Sequence, residues 1–158
     1  MDMFELDIPG FGLARLEYFV SDFTGTLSVD GKLLPGVKER LNKISEILQV
    51  YILTADTFGM AKAALHGVNC EVQILEGEKH DIQKEEFVRT LGSDAVIALG
   101  NGNNDARMLK AARIGIAVCL MEGCATAALT SADLVMNSTT DALDLFFNPK
   151  RMKATLRF

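Results

Sequence analysis

The sequence predicts a three-layer α/β fold, in which a mostly parallel, doubly wound sheet lies between helices. Short apolar runs that suit buried strands alternate along the chain with stretches of helical periodicity. No internal repeat, linker or low-complexity tract interrupts this alternation. We therefore expect one domain over residues 1–158, whose 49% hydrophobic content suits a sizeable core.

Individual elements follow from the periodicity and from the turn residues between them. An antiparallel hairpin is predicted at the N-terminus, with strands at 4–8 and 13–21 around a Gly-Phe-Gly turn. Further strands are predicted at 50–53, 71–75, 95–99, 114–120 and 134–136. Helices are predicted at 35–48, 57–65, 81–91, 104–112, 124–130 and 140–147. Pro35 suits the first turn of the first helix, and Gly92 ends the third.

Composition argues against several classes of partner. The net charge is −5, and the one Lys/Arg cluster, 150–153, is expected to be a solvated tail, so we expect no nucleic-acid partner. No segment approaches the ~20 apolar residues of a membrane span, so we expect no membrane partner. Cys70, Cys119 and Cys124 lack metal-ligand spacing, and the first and second of these are expected to be inert core thiols. A cytoplasmic location is expected from this cysteine pattern and from an N-terminus unlike a secretory signal.

The most informative stretch is Asp22-Phe23-Thr24-Gly25-Thr26, which follows an apolar strand-like run. A strand would hold Asp22 rigidly, and in open α/β sheets chemistry takes place at the carboxyl ends of the strands. The turn offers backbone N–H groups, and Gly25 would let them approach a phosphate closely. The stretch therefore suits a carboxylate that accepts a phosphoryl group.

Two further side chains are placed by the pattern near the same edge. Thr54 ends a predicted strand, so its hydroxyl can donate to a phosphoryl oxygen; the alternative is an N-cap for the next helix. Lys84 extends the apolar face of its helix, which suggests that it meets an anion; the alternatives are a side chain that snorkels to solvent and, as the anion-binding lysine, Lys79.

A polar loop follows another predicted strand, with the sequence Gly100-Asn101-Gly102-Asn103-Asn104-Asp105. Its glycines suit a tight strand-to-helix turn, and its Asn and Asp side chains carry the oxygen ligands that Mg²⁺ prefers. The alternative is an Asn/Gly turn followed by a helix cap. Together the four segments suggest phosphoryl transfer with a covalent acceptor, a phosphate clamp and Mg²⁺.

These segments resemble the motifs of the haloacid dehalogenase (HAD) superfamily, most closely its P-type ATPase branch. That branch carries D-K-T-G-T-L, L-T-G-D, K-x-x-x-V, G-D-G-x-N-D and V-G-I-A in this order. The corresponding segments here are Asp22–Leu27, Ile52–Asp56, Lys84–Val88, Gly100–Asp105 and Ile114–Val118. The resemblance covers about residues 16–136 and implies a Rossmann-like HAD fold.

The resemblance also implies roles for individual residues. Asp22 would form an aspartyl-phosphate. The implied catalytic residues are Asp22, Thr24, Thr54 and Lys84. The implied Mg²⁺ ligands are Asp22, the Thr24 carbonyl, Asn101 and Asp105. The implied phosphate and substrate contacts are Phe23, Gly25, Thr26, Thr54, Ala55, Lys84 and Asn104.

Two departures from the family pattern have chemical consequences. Phosphatases of the superfamily usually have an Asp as acid/base where this chain has Thr24, so we expect slow hydrolysis of the aspartyl-phosphate. Asn101 stands where the motif has its first loop Asp, so Mg²⁺ binding is expected to be weak or lost.

The spacings between the motifs leave no room for a cap domain, so an open site is expected. Such a site would be shielded by homo-oligomerisation or would act on large substrates.

The sequence thus predicts a capless, Mg²⁺-dependent phosphohydrolase acting on a phosphorylated small molecule or a phosphoprotein. The alternative is a catalytically weak or inactive HAD-like module that senses phosphate or binds protein. A response-regulator receiver also uses Asp, Thr and Lys, but it needs paired acids after its first strand and an acceptor on a middle strand. This chain has its acceptor after the first long strand, which argues against a receiver.

Overall fold

The computed structural model describes residues 4–56 and 58–158, so Thr57, where the second helix was predicted to begin, lies outside the described residues. The strands are β1 Phe4–Ile8, β2 Gly12–Leu16, β3 Tyr18–Asp22, β4 Ser28–Val29, β5 Lys32–Leu33, β6 Gln49–Thr54, β7 Glu71–Ile74, β8 Val96–Gly100, β9 Ile114–Val118 and β10 Leu134–Met136. The helices are α1 Val37–Ile44, α2 Met60–Ala64, α3 His80–Leu91, α4 Ala106–Ala111, α5 Thr126–Ser131, α6 Thr139–Asp144 and α7 Pro149–Leu156.

A six-stranded parallel sheet forms the centre, in the order β10-β9-β8-β3-β6-β7. Strands β1 and β2 form a separate antiparallel hairpin, and β4 and β5 form a smaller one. Among the described residues, only β4, β5 and α1 lie between β3 and β6, and only α2 and β7 lie between β6 and α3. The predicted α/β fold with an N-terminal hairpin is therefore confirmed, and the described residues include no cap domain.

Both faces of the sheet are covered, because side chains alternate between two cores along each strand. On β3, Phe19 points into a core shared with α1, α2, α6 and α7, whereas Val20 points into one shared with α3, α4 and α5. A strand buried on both faces reads as a continuous apolar run, which is why the sequence located these strands well. No helix in the described part of the chain is long and apolar enough to cross a membrane.

Two predicted elements were wrong in extent. The run 13–21 is two strands in different sheets, divided at Glu17. The Glu17 N–H donates to the Ala95 carbonyl just before β8, and the Glu17 carbonyl accepts the N–H of Gln49, the first residue of β6. Helix α1 begins at Val37 and not at Pro35, because Gly36 has a left-handed φ of 82°. The helix also ends at Ile44, and Leu48 is buried beyond it.

The expected solvated tail is also wrong. Residues 149–156 form helix α7, with Pro149 in its first turn. Met152 and Leu156 are buried in the core, while Lys150, Arg151 and Lys153 are exposed. The basic cluster is therefore the outer face of an amphipathic helix.

Smaller boundary shifts have local causes. Strand β9 ends at Val118, before the turn that Leu120 and Gly123 close. Helix α4 begins at Ala106 because residues 103–105 form a 3₁₀ turn, and α6 ends at Asp144. The thiols expected in the core, Cys70 and Cys119, are only half-buried.

Candidate active site

Three central strands end in the predicted site segments at one edge of the sheet. Asp22 is the last residue of β3, Thr54 is the last of β6, and Gly100 is the last of β8. Strand β3 lies between the other two, with Asp22 opposite Leu53 of β6. The parallel register therefore puts Thr54 on one side of Asp22 and the loop after Gly100 on the other.

Lys84 joins this edge from α3. Its side chain is 2% exposed, and its ammonium donates to Asp22 Oδ1 at 2.9 Å, to Asp105 Oδ1 at 2.7 Å and to Asn104 Oδ1 at 3.3 Å. All three N–H bonds of the ammonium thus have acceptors. Lys79 is exposed at the start of the helix, so Lys84, and not Lys79, reaches the carboxylates.

The charges of this cluster do not balance. Burial raises the pKa of Asp22 to about 7, and the negative charge of Asp105 adds to the rise, although the Lys84 ammonium and the Thr26 hydroxyl oppose it. Burial alone would lower the pKa of Lys84, but the charges of Asp22 and Asp105 outweigh burial, and this pKa lies above its usual value. Two carboxylates face one ammonium, so the cluster has room for further positive charge.

The shape of the loop after β8 depends on Asp105. This carboxylate is fully buried, and its Oδ2 accepts the backbone N–H groups of Asn101 and Gly102, each at 2.9 Å. A side chain at position 100 would collide with it, since a Cβ on Gly100 would lie 2.6 Å from Asp105 Cγ. Gly100 therefore allows the buried carboxylate to pack against the end of the strand.

Asn101 connects two turns through its amide group. Its Oδ1 lies 3.2 Å from the Thr26 hydroxyl, and its Nδ2 donates to the Gly123 carbonyl at 3.2 Å. The amide also lies against Gly25, where a Cβ would be 2.5 Å from Nδ2 and where φ is 76°. An amide fits this position because a carboxylate has no hydrogen to donate to Gly123.

The turn after Asp22 offers fewer free N–H groups than the sequence suggested. The Gly25 N–H donates to the Ser28 carbonyl at 2.9 Å, and the Thr26 N–H donates to the Phe23 carbonyl at 3.2 Å. The Thr26 hydroxyl, fully buried, lies 3.1 Å from Asp22 Oδ2. Gly25 and Thr26 are therefore not at the cleft surface, contrary to their predicted contact with substrate. Instead, they contact the side chains of Asp22 and Asn101.

The helix-capping role considered for Thr54 is filled by its neighbour Asp56. Asp56 accepts the N–H groups of Ala61 at 2.7 Å and Lys62 at 3.2 Å, and so caps α2. Thr54 Oγ1 accepts the Asp56 N–H at 3.3 Å. The Thr54 hydroxyl hydrogen remains available to donate into the cleft beside Asp22.

A cleft of about 430 Å³ opens over this edge. Of the predicted residues, those that line it are Asp22, Phe23, Thr24, Thr54, Ala55, Lys84, Asn101 and Asn104. Asp105, like Gly25 and Thr26, does not line the cleft.

Eight lining residues were not among the predicted site residues: Gly31, Asp56, Phe58, Met60, Ala61, Leu75, His80 and Gly102. His80 had a usable signal, since it lies four residues before Lys84 on the same helical face. Phe58 and Met60 had none, because they lie in a loop and at the start of a short helix.

The oxygen atoms of the cluster suit a hard cation. In the ranges 4–56 and 58–158, no group of three or more His, Cys, Asp or Glu side chains is placed to hold a metal. A metal here would rely on the carboxylates of Asp22 and Asp105, the amide oxygen of Asn101 and the Thr24 carbonyl. Such a set, with an unbalanced negative charge, fits Mg²⁺ in chemistry but has one carboxylate fewer than the family motif.

Comparison with known proteins shows which proteins the chain is similar to. No family model matches the chain. An uncharacterized protein of Methanocaldococcus jannaschii is 44% identical over 73 residues, which are 46% of this chain and 78% of that protein. A probable copper-transporting ATPase of Arabidopsis thaliana is 30% identical over 120 residues, which are 73% of this chain but 12% of the ATPase.

Solved structures give the clearest similarity. A putative HAD family hydrolase from Streptomyces avermitilis matches with a TM-score of 0.67 and 15% identity over 83% of this chain and 84% of that one. The chain therefore has the fold of HAD hydrolases. A 3-deoxy-D-manno-octulosonate 8-phosphate phosphatase from Moraxella catarrhalis, solved with magnesium, phosphate and KDO, shares this HAD fold with a TM-score of 0.64. It is 16% identical and matches 90% of this chain and 94% of its own. The predicted similarity to the HAD superfamily is thus confirmed at the level of the fold.

Proposed function

We propose that this HAD chain is a Mg²⁺-dependent phosphohydrolase that forms an aspartyl-phosphate at Asp22. The observation that carries the proposal is the bridge of the Lys84 ammonium between the buried carboxylates of Asp22 and Asp105, beside the Thr54 hydroxyl and below an open cleft. Buried charges that only support a fold do not need to lie at the floor of a cleft with a hydroxyl beside them.

Each residue would have a distinct part in the first step. A carboxylate oxygen of Asp22 attacks phosphorus, the bond from phosphorus to the leaving oxygen breaks, and the leaving group departs with the electron pair. Lys84 exchanges one of its carboxylate contacts for a phosphoryl oxygen, and Thr54 donates to another. Mg²⁺, held by Asp22, Asp105, Asn101 and the Thr24 carbonyl, would neutralise charge on the phosphoryl group.

The second step returns the enzyme to its starting state and would be slow. Water attacks phosphorus, the bond from phosphorus to Asp22 breaks, and inorganic phosphate leaves. The water must lose a proton, and Thr24, which lines the cleft at the position of the usual acid/base, cannot accept it near pH 7. Loss of such help typically slows a step by ~10²–10⁴-fold.

Asn101 supports the alternative function. Its amide oxygen accepts from the Thr26 hydroxyl, and its amide nitrogen donates to the Gly123 carbonyl. These two bonds hold the loop together without any metal. A chain that binds phosphate at this edge but turns it over poorly would act as a phosphate-sensing or protein-binding module. The substrate in either case is a phosphorylated small molecule or a phosphoprotein, and homo-oligomerisation and a cytoplasmic location stay predictions.

Phosphate release decides between the two functions. The protein is incubated with Mg²⁺ or with EDTA and with acetyl phosphate, an aryl phosphate, sugar phosphates and a phosphoserine peptide. We expect Mg²⁺-dependent release that is lost in Asp22→Asn and kept in Asp7→Asn, which changes an exposed carboxylate on β1. Binding of orthovanadate without release of phosphate from any substrate would favour the sensing module.

A further inference from the structure

The outer part of the cleft is apolar, in contrast to its charged floor. Phe58 precedes α2 and is 87% exposed, and Met60 begins α2 and is 53% exposed. Both residues line the same cleft as Asp22 and Thr54. Single exposed apolar side chains are ordinary on protein surfaces, but two on the rim of one cleft form a surface that a ligand can cover.

Among the described residues, this rim offers no lysine or arginine of its own to a second anionic group. Among the described residues that line the cleft, the only Lys or Arg is Lys84, and its ammonium already contacts the carboxylates of Asp22 and Asp105. The Asp56 carboxylate is negative and holds the backbone of α2. His80 also lines the cleft, but its Nε2 lies 3.0 Å from the Gly77 carbonyl. A substrate with a carboxylate or a second phosphate outside the reacting centre would therefore meet no free ammonium or guanidinium group.

The residue at position 24 restricts the leaving group independently. Because Thr24 has no proton to give near neutral pH, the leaving oxygen must depart as an anion and collect its proton from water. Phenolic oxygens bear this charge far better than sugar or alkyl oxygens, since phenols ionise near pH 10. The apolar rim and the lack of a proton donor at position 24 thus both favour an uncharged leaving group whose oxygen ionises readily.

We propose that the cleft takes phosphate monoesters whose leaving group is a flat, uncharged aromatic ring, with Phe58 packed against that ring and the Met60 sulfur at its edge. Aromatic pairs and sulfur–aromatic contacts both favour this arrangement. The assignment rests on the proposed function and names its substrate class. The reaction keeps the same balance: the phosphorus–oxygen bond of the ester breaks, the aryloxide leaves with the electron pair, and water protonates it.

The test compares two activated substrates that differ in their leaving group, 1-naphthyl phosphate and acetyl phosphate. In Phe58→Ala we expect the ratio of kcat/KM for the naphthyl substrate to that for acetyl phosphate to fall roughly five- to tenfold. Leu13→Ala removes another exposed apolar side chain, beside residues that precede β3 and β8 at the opposite edge of the sheet, and should leave the ratio unchanged. A naphthyl ring with an added carboxylate should be a poorer substrate than the uncharged ring.

Failure of the subsite is distinguishable from failure of the proposed function. If acetyl phosphate is cleaved but the ratio does not change in Phe58→Ala, the aromatic subsite is wrong and the phosphohydrolase stands. If no substrate is cleaved, the proposed phosphohydrolase activity is wrong. The aromatic subsite is then tested by calorimetric binding of 1-naphthylmethylphosphonate to the wild type and to Phe58→Ala. Weaker binding to Phe58→Ala supports the subsite, and equal binding overturns it. A homodimer in sedimentation that dissociates in Phe58→Ala would also overturn it, since a second copy would then cover the rim.

Discussion

Replacement of Asp22 by Asn should abolish turnover and also stabilise the metal-free protein. The carboxylate is buried at the end of β3, and its pKa is raised from 3.8 to about 7, first by burial and then by Asp105. At about 1.36 kcal/mol per pH unit, this shift corresponds to at most ~4 kcal/mol of unfavourable free energy when Asp22 is ionised in the folded state. The neutral amide of Asn avoids that cost, because it resembles the protonated acid in shape.

The dependence on pH follows from the direction of the shift. Between pH 3.8 and about 7 the folded protein holds a proton on Asp22 that the unfolded chain has lost, so the wild type loses stability as pH rises through this window. Below pH 3.8 both states are protonated, and the two proteins should have similar stability. The advantage of Asp22→Asn should therefore grow from nearly zero near pH 3 to its full size above pH 7.

Thermal unfolding in EDTA measures this advantage. A gain of ~4 kcal/mol corresponds to an increase in Tm of about 8–16 °C for a domain of this size, as an upper limit. Asp7→Asn changes an exposed carboxylate and should leave Tm nearly unchanged. Added Mg²⁺ should raise the Tm of the wild type but not of Asp22→Asn, because the variant lacks a metal ligand. A Tm for Asp22→Asn equal to that of the wild type at pH 7.5, or a gain independent of pH, would refute the argument.

Three other changes test the remaining parts of the site. Asn101→Asp should tighten Mg²⁺ binding in a calorimetric titration. Without metal it should cost about 1–3 kcal/mol of folding stability, because the Gly123 carbonyl loses its hydrogen-bond donor. Unchanged Mg²⁺ affinity would place position 101 outside the metal shell. Lys84→Ala should weaken vanadate binding and cost about 3–5 kcal/mol of stability, because it leaves two buried carboxylates unpaired. Lys79→Ala, as the control, should change stability by less than about 0.5 kcal/mol. A larger loss of vanadate affinity in Lys79→Ala would contradict the choice of Lys84 as the phosphate-binding lysine. The wild type should show a burst of product with an activated substrate in rapid-quench kinetics, and Thr24→Asp should abolish the burst and raise steady-state turnover; no burst and no gain would leave Thr24 without this role.

The sequence predicted the edge of the sheet where the site lies because local pattern alone determines it. Asp22 and Thr54 each end an apolar run, and parallel strands with both faces buried bring such ends to one edge. Lys84 could be identified because helical periodicity places it on the inward face of α3. These inferences need only the type and order of the elements.

The sequence did not predict contacts that depend on distant parts of the chain. The bond from Asn101 to Gly123 joins two turns 22 residues apart, and no local pattern indicates it. The hydrogen bonds of the Gly25 and Thr26 N–H groups depend on how the turn folds back on itself, so the sequence overstated the N–H groups free for phosphate. Helix α7 was missed because only two of its residues, Met152 and Leu156, are buried, too few to show a period.

Direct trapping of the phosphorylated protein tests the central claim. The wild type is mixed with Mg²⁺ and acetyl phosphate, quenched in acid, and reduced with borohydride, which converts an acyl phosphate of aspartate to homoserine. Peptide mass spectrometry should then find homoserine at position 22 and at no other aspartate, with the modified fraction higher in the wild type than in Thr24→Asp. Phosphate release from acetyl phosphate without any modification at position 22, or modification at another residue, would contradict the account.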